Sequence, residues 1–256
     1  MVKIILILVP FIIFVSCGTT TSVSNEIEKP ILITHRGGMI TYPENSLVSF
    51  ENVMNFTKYI EMDIHFSKDN IPIVIHDKSL DRTTNCKGLV SEKNWSQLKL
   101  CKLRNKLDWN YSKYTLSTFN DILNSKLLKK AILIVEIKES NRDAIDRLMN
   151  LVIERDNIVI QSFDSEILQY IYNHYSLENL YLISNKLPKE KLDFIKGLIL
   201  NAENISKNIK EENENLDIYI YTVDKDDEFK KYLNYDIDGI ITNDARFFKK
   251  YYTKGN

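Results

Sequence analysis

Residues 31–84 of the 256-residue chain contain three histidines, two arginines and a pair of closely spaced carboxylates. His35 and His76 each follow a short apolar segment, and Glu61 and Asp63 lie two positions apart within another. Histidine gives and takes protons near neutral pH, whereas neighbouring carboxylates hold divalent cations. Side chains of these types in one region favour metal-assisted hydrolysis of a phosphate ester.

The segment from Tyr59 to Phe66 alternates between apolar and polar side chains, which is typical of a β-strand with two different faces. Its polar face carries Glu61 and Asp63, and two like charges on one face repel each other unless a cation lies between them. Ca²⁺ or Mg²⁺ would suit these oxygen ligands. A hairpin turn at 69–70 would then place His76 opposite Asp63.

Short apolar segments recur after residue 30 and mostly alternate with segments of helical periodicity, which predicts parallel β/α units. The predicted strands are 31–34, 59–64, 71–75, 132–137, 158–161, 180–183, 198–200, 218–223 and 239–241. The first predicted helix is opened by residues 43–46 and continues to about residue 54, and the others are about 116–128, 142–153, 164–173, 188–195, 203–212, 226–233 and 245–251. Strand 71–75 has no helix before it, so eight strands remain for an α/β fold, a (β/α)8 TIM-type barrel with a β-hairpin extension.

The first sixteen residues have the composition of a targeting segment. Their apolar run, 4–15, is too short to span a bilayer comfortably. Phe14-Val15-Ser16-Cys17-Gly18 resembles the lipobox of bacterial lipoproteins. We therefore expect a signal peptide over 1–16, lipidation of Cys17, a polar tether over 17–29 and export to the bacterial cell envelope. An uncleaved membrane anchor and an ordinary signal peptide are the alternatives.

The barrel should occupy residues 30–256, and the segment 77–115, which has no long periodic element, reads as a small insertion over the C-terminal mouth. Cys86 and Cys101 lie in this polar segment. Because disulfides persist in exported chains, we favour a bridge between the two cysteines. Two unpaired thiols are the alternative.

The overall composition is that of an ordinary globular protein, with 44% hydrophobic and 27% charged residues. The formal net charge of −1 provides no basic field. The composition therefore argues against nucleic acid as a partner.

Eight short motifs follow one another along nearly all of residues 31–250. They are His35-Arg36-Gly37, Pro43-Glu44-Asn45-Ser46, Glu61-x-Asp63, His76-Asp77-x-x-Leu80-x-Arg82-Thr83-Thr84, Glu136-x-Lys138, Gln161-Ser162-Phe163, Tyr221-Thr222-Val223 and Asp238-Gly239-Ile240-Ile241-Thr242. In type, order and spacing this set resembles the glycerophosphodiester phosphodiesterase family. The resemblance implies a (β/α)8 barrel that releases glycerol 3-phosphate and an alcohol from glycerophosphodiesters.

The resemblance also implies a role for each matching residue. The general acid/base pair would be His35 and His76, in an order that the sequence leaves open. The ligands of one divalent cation, Ca²⁺ or Mg²⁺, would be Glu61, Asp63 and Glu136. The substrate-binding residues would be Arg36, Lys138, Glu44 and Tyr221, with Glu44 near the metal or the glycerol hydroxyls and Tyr221 on the apolar side of the glycerol pocket.

Two other functions stay open on the sequence alone. One is the same chemistry on lysophospholipids, and the other is a non-catalytic envelope lipoprotein that binds glycerophospho-headgroups. Among the remaining polar residues, Asn243 stands where the family often has Asp, and we expect it to lie behind the site. We interpret Arg82, His65 and His174 as structural, with Arg82 capping a turn or pairing with Asp77.

Overall fold

The computed structural model describes residues 29–105 and 110–253 of the chain. Its strands are β1 Ile31–Thr34, β2 Tyr59–Phe66, β3 Pro72–Val74, β4 Lys102–Arg104, β5 Tyr111–Thr115, β6 Ile132–Ile137, β7 Ile158–Ser162, β8 Leu180–Ser184, β9 Gly197–Asn201, β10 Asp217–Tyr221 and β11 Gly239–Thr242. Eight of them run parallel in the order β1-β11-β10-β9-β8-β7-β6-β2, and pairing of β1 with β2 closes the barrel. The predicted (β/α)8 barrel is confirmed.

Helices lie between most of the barrel strands. They are α1 Leu47–Val53, α2 Trp95–Leu98, α3 Phe119–Asn124, α4 Arg142–Val152, α5 Ser165–Tyr175, α6 Asp226–Tyr232 and α7 Ala245–Phe248. None of the helices in the described ranges is long and apolar enough to cross a membrane. The predicted signal peptide, Cys17 and all of the tether before residue 29 lie outside the described residues.

Two of the predicted helices are wrong. The segments 188–195 and 203–212 form turns and bends, apart from a short 3-10 turn at Ala202–Asn204. A short helix between two strands depends on an apolar face for its stability. The first segment carries its apolar residues only at its end, and the second offers only Ile205 and Ile209 among Asn, Ser and charged residues, which favour turns.

Alternation along the strands separates two cores. Ile60, Met62 and Ile64 belong to the large core between the barrel and its helices. Inside the barrel, the stacked rings of Tyr181 and Tyr219, with centroids 5.1 Å apart, lie in a second apolar cluster. Tyr181 is the second of five residues in β8 and Tyr219 is the third of five in β10, so this cluster lies below the strand ends and closes the floor of the barrel. The polar side chains farther along the strands are therefore open only to the C-terminal mouth.

The hairpin that follows β2 differs from the prediction by one residue. The N–H of Ile75, not of His76, donates to the carbonyl of Asp63 at 3.0 Å, so the prediction that His76 lies opposite Asp63 is wrong. The loop contains three residues, 68–70, and Asn70 adopts a left-handed φ of 56°. A three-residue loop with a left-handed last residue shifts the register relative to a two-residue turn.

The segment 77–115 has a small core of its own beside the barrel. It contains β4 and β5, an antiparallel pair that the sequence pattern did not predict, because β5 is largely exposed and has little apolar alternation. Cys86 and Cys101 form a disulfide across this segment. The bridge ties the segment that follows His76 to the strand pair β4–β5.

Replacing Cys86 with Ser is expected to lower the free energy of unfolding by about 3 kcal/mol, because the bridge closes a loop of roughly 15 residues in the unfolded chain. Urea denaturation of residues 18–256, which contain no other cysteines, measures this difference. Cys101→Ser should lower stability equally, and a reducing agent should affect only the wild type. A Cys86→Ser protein as stable as the oxidised wild type would contradict the prediction.

Candidate active site

Three buried carboxylates meet at the C-terminal end of the barrel. Glu61 and Asp63 come from β2, and Glu136 comes from the adjacent β6, where it pairs in register with Asp63. One oxygen from each of the three residues lies within 4.8 Å of the others. A set of hard oxygen donors at this spacing suits Ca²⁺ or Mg²⁺.

Burial and mutual repulsion perturb these carboxylates in different directions. Burial and the charges of Asp63 and Glu136 raise the pKa of Glu61 well above its ordinary value. Burial and the charge of Asp63 raise the pKa of Glu136 to about 7. Burial also opposes ionisation of Asp63, but Lys138 and Arg36 hold its pKa well below the ordinary value. Because a divalent cation relieves such repulsion, the residues present fit one.

Two fixed cations lie against the carboxylates. Lys138 Nζ is 2.6 Å from Glu136 Oε1 and 3.0 Å from Asp63 Oδ1. Arg36 Nε is 3.3 Å from Asp63 Oδ2, and its Nη1 is 3.1 Å from Glu44 Oε1. A guanidinium and an ammonium group on one wall are typical of phosphate binding.

The turn that carries Arg36 depends on glycine. Arg36 has a φ of 52°, and this conformation lets its N–H donate to Glu61 Oε2 at 2.9 Å. The next residue, Gly37, has a φ of 77°, and a Cβ there would lie 2.4 Å from Ser49 Oγ and 2.6 Å from a ring carbon of Phe50. Only glycine allows α1 to approach this turn so closely.

His35 is oriented from behind by an amide. Its Nδ1 lies 2.7 Å from Oδ1 of Asn243, whose backbone N–H donates to Asp224 at 2.8 Å and whose Nδ2 donates to the same carboxylate. Burial and the nearby charge of Arg36 lower the pKa of His35 to about 4. The imidazole is therefore neutral at pH 7, Nδ1–H donates to Asn243, and Nε2 keeps its lone pair. This Nε2 lies 3.9 Å from Glu61 Oε2.

His76 is oriented instead by a carboxylate. Its Nδ1 lies 2.7 Å from Oδ1 of Asp77, which also accepts from Arg82. Burial and the charge of Lys138 lower the pKa of His76, while Asp63 and Asp77 oppose that change. The two histidines thus differ in the group behind each ring.

Arg82 connects two parts of the site. Its Nε donates to Asp77 Oδ2 at 2.6 Å, and its two terminal nitrogens donate to the oxygens of Glu44 at 2.8 Å each. Burial would raise the pKa of Glu44, but bonds from Arg82 and the charge of Arg36 keep it below its ordinary value. Glu44 thus bonds to arginine through both oxygens, while Arg82 pairs with Asp77 as expected and with Glu44 in addition.

A cavity of about 190 Å³ opens at the mouth beside these groups. Its polar wall consists of His35, Arg36, Glu61, His76, Glu136, Lys138 and Gln161. The facing wall is formed mainly by Phe163, Ile183, Ile199, Tyr221 and Ile241. Asp63 and Glu44 lie behind the polar wall rather than on it. The structure therefore gathers all of the predicted catalytic, metal-binding and substrate-binding residues around one cavity, with these two set back.

Several supporting residues are not identified by the sequence. Asn45 donates to Asp63 Oδ2 at 2.7 Å and accepts from the Asp63 N–H. His65, interpreted above as structural, lies with Nε2 3.0 Å from the backbone oxygen of His76. The Pro-Glu-Asn-Ser motif was a usable signal for Asn45, whereas Asp224 lies in no motif and reaches the site only through strand pairing.

Fold and site together define a class of protein, the (β/α)8-barrel enzymes that combine a histidine pair with a carboxylate cation site at the C-terminal mouth. The model of the glycerophosphoryl diester phosphodiesterase family matches residues 35–246. The chain belongs to that family.

Individual relatives agree with this assignment. A glycerophosphodiester phosphodiesterase of Caldanaerobacter subterraneus subsp. tengcongensis is 26% identical over 247 residues, which cover 89% of this chain and 99% of that protein. A second glycerophosphodiester phosphodiesterase, from Bacillus altitudinis, is 26% identical over 232 residues, which cover 83% of this chain and 94% of that protein. The solved structure of an Oleispira antarctica phosphodiesterase in complex with the product sn-glycerol-3-phosphate has a TM-score of 0.76 at 18% identity, covering 87% of this chain and 96% of that one. This likeness shows the shared fold.

Proposed function

We propose that the protein hydrolyses glycerophosphodiesters to glycerol 3-phosphate and an alcohol. The observation that carries the proposal is that His35 and His76 line one cavity together with Arg36, Lys138 and the acidic side chains. Family membership supports it, as do full-length relatives named glycerophosphodiester phosphodiesterases.

Different side chains bind the phosphate, transfer protons and contact the glycerol. Arg36 and Lys138 bind the phosphate oxygens and orient the ester. Because Nδ1 of each histidine is held by a neighbour, Nε2 is the atom that exchanges a proton with substrate. One imidazole takes a proton from the attacking oxygen and the other gives a proton to the leaving oxygen. Tyr221 packs on the apolar side of the glycerol.

Glu61, Asp63 and Glu136 would hold one divalent cation, Ca²⁺ or Mg²⁺. When bound, the cation reduces the negative charge of the phosphate and stabilises charge that develops on its oxygens. Asp63 has a further task, because it is also the counter-ion that keeps Arg36 and Lys138 in place.

A direct assay tests the proposal. Residues 18–256 would be stripped of metal with a chelator and supplied with Ca²⁺ or Mg²⁺ in turn, and release of glycerol 3-phosphate from glycerophosphocholine would be followed. We expect cation-dependent release that His35→Ala abolishes. If folded, cation-loaded protein released nothing from any glycerophosphodiester, the proposal would fail. Lysophospholipids would be tested next. If they too were not hydrolysed, the remaining hypothesis would be a non-catalytic protein that binds glycerophospho-headgroups.

Cation affinity should depend on pH through Glu136. Its pKa is raised to about 7, so below that pH the cation must displace a proton that a carboxylate of ordinary pKa would not hold. The pKa of Glu61 is raised as well, so the cation must displace a second proton there. The dissociation constant, measured by calorimetry, should therefore rise at least tenfold per pH unit below about pH 7. A constant affinity between about pH 8 and about pH 6 would contradict the raised pKa.

Asn243→Ala should lower kcat about 10- to 100-fold with little change in KM. The variant removes the acceptor that orients His35 but leaves Arg36 and Lys138 in place. Asn243→Asp restores an acceptor and should recover part of the activity. Asn234→Ala, at an exposed helix end away from the site, is the matched control and should behave as wild type. Full activity of Asn243→Ala would show that His35 needs no partner.

We also propose that the protein is lipid-anchored at Cys17 to the bacterial cell envelope. The lipobox-like sequence supports this, as does the polar tether that follows it. Cys17→Ser should move the protein from the membrane fraction to the soluble fraction, and an unchanged distribution would argue against lipidation.

A further inference from the structure

A second cavity adjoins the first at the mouth of the barrel. Its volume is about 610 Å³, against about 190 Å³ for the first. The two cavities share His76, Glu136, Lys138 and Phe163 as a common wall, whereas His35 lines only the smaller one. His76 is thus the histidine that faces both spaces.

The geometry of substitution at phosphorus indicates that the two cavities bind different parts of the substrate. The attacking and leaving oxygens lie on opposite sides of the phosphorus atom. Because His35, His76, Arg36 and Lys138 line the same cavity, we place the phosphate between the two histidines, with one side toward His35 and the other toward His76. The smaller, partly apolar cavity on the His35 side suits glycerol, the part that all glycerophosphodiesters share. The variable alcohol then extends past His76 into the larger cavity.

The outer wall of the larger cavity is built for a polar group. Lys78, Phe163 and Asp164 are exposed there. The ring of Phe163 packs edge-on against Tyr221, with centroids 6.3 Å apart, and Asp164 caps α5 by accepting from the N–H of Glu166 at 2.9 Å. An aromatic face attracts an ammonium group. The carboxylate of Asp164 adds a negative charge beside this face, and the positive charge of Lys78 on the same wall offsets part of it.

Building on the proposed function, we infer that the larger cavity is the subsite for the leaving alcohol and that Asp164, beside Phe163, favours positively charged amino alcohols over neutral ones. In the reaction the attacking oxygen forms a bond to phosphorus and gives its proton to His35, while the P–O bond to this alcohol breaks and the alcohol oxygen takes a proton from His76. Proton exchange with water then returns the proton to His76 and removes it from His35, so that both histidines regain their starting states.

The cation-loaded protein tests this inference with two substrates. We expect Asp164→Asn to lower kcat/KM for glycerophosphocholine roughly threefold, as befits one exposed charge, and to leave kcat/KM for glycerophosphoglycerol unchanged. Asn caps helices as well as Asp does, so α5 should be unaffected. Glu166→Gln is the matched control, because it removes the same charge from an exposed position on the same helix that lines neither cavity.

The outcomes separate this inference from the function on which it rests. If the wild type releases glycerol 3-phosphate from both substrates and Asp164→Asn leaves the ratio of their kcat/KM values unchanged, the charged-alcohol subsite is wrong. An equal loss on both substrates would also overturn it, since that result indicates a purely structural role for Asp164. If the wild type is inactive on every glycerophosphodiester, the proposed function itself fails.

Discussion

His76→Ala is expected to lower kcat for release of glycerol 3-phosphate by about 10²- to 10⁴-fold, the range that one general acid or base contributes. The variant removes the imidazole that Asp77 orients toward the cavity. KM should change little, because the phosphate contacts of Arg36 and Lys138 do not depend on His76. Steady-state kinetics with saturating cation measure both parameters.

His174→Ala is the matched control for this variant. His174 is exposed on α5, where it contacts the backbone oxygen and the ring of Tyr170 and lines neither cavity, so its loss should leave kcat unchanged. The double variant His35→Ala/His76→Ala should be scarcely slower than either single variant, since the two imidazoles act as a unit. Multiplicative losses would mean that each histidine works alone.

Asp63→Asn should be the most damaging conservative change in the site. It removes a predicted cation ligand and leaves Arg36 and Lys138 without their shared counter-ion. We expect cation affinity to fall more than about 100-fold, beyond the range of losses at residues that only support ligands. The free energy of unfolding of the metal-free protein should fall by about 3 kcal/mol, the lower end for breaking a buried ion pair.

The stability part of this prediction depends on pH in a definite direction. Because the pKa of Asp63 is lower in the folded protein than in the unfolded chain, its charge stabilises the fold above the unfolded pKa. That contribution disappears as the pH falls through the folded value. Urea denaturation at neutral pH and calorimetric titration measure the two effects, and the exposed Asp156→Asn is the control. Equal stability of Asp63→Asn and wild type would contradict the counter-ion role.

The barrel was predictable because its evidence is local. Strand alternation from Tyr59 to Phe66 and the apolar segments after it depend on neighbours in sequence, and the structure has all nine predicted strands. The helices predicted at 188–195 and 203–212 failed because a short helix depends on packing that a local pattern does not reveal. The register of His76 failed for a similar reason, since one residue in the loop decides it.

The site was predictable to the extent that its residues stand in short motifs. The spacing of Glu61 and Asp63 predicts a cation site, and the structure brings Glu136 to the same place. His35 and His76 lie at strand ends. The residues that orient the two histidines were predictable to different degrees. Asp77 follows His76 in the chain, but Asp224 reaches Asn243 from a neighbouring barrel segment, nineteen residues away.

The tyrosine pair that closes the barrel floor leaves both products with the same way out. With Tyr181 stacked on Tyr219 below the carboxylates, everything enters and departs through one opening. With the alcohol in the larger cavity, as inferred above, the alcohol should dissociate first and glycerol 3-phosphate last. Substrate and glycerol 3-phosphate would therefore both bind the free enzyme. As glycerol 3-phosphate accumulates, it should compete with substrate and lower the rate of turnover.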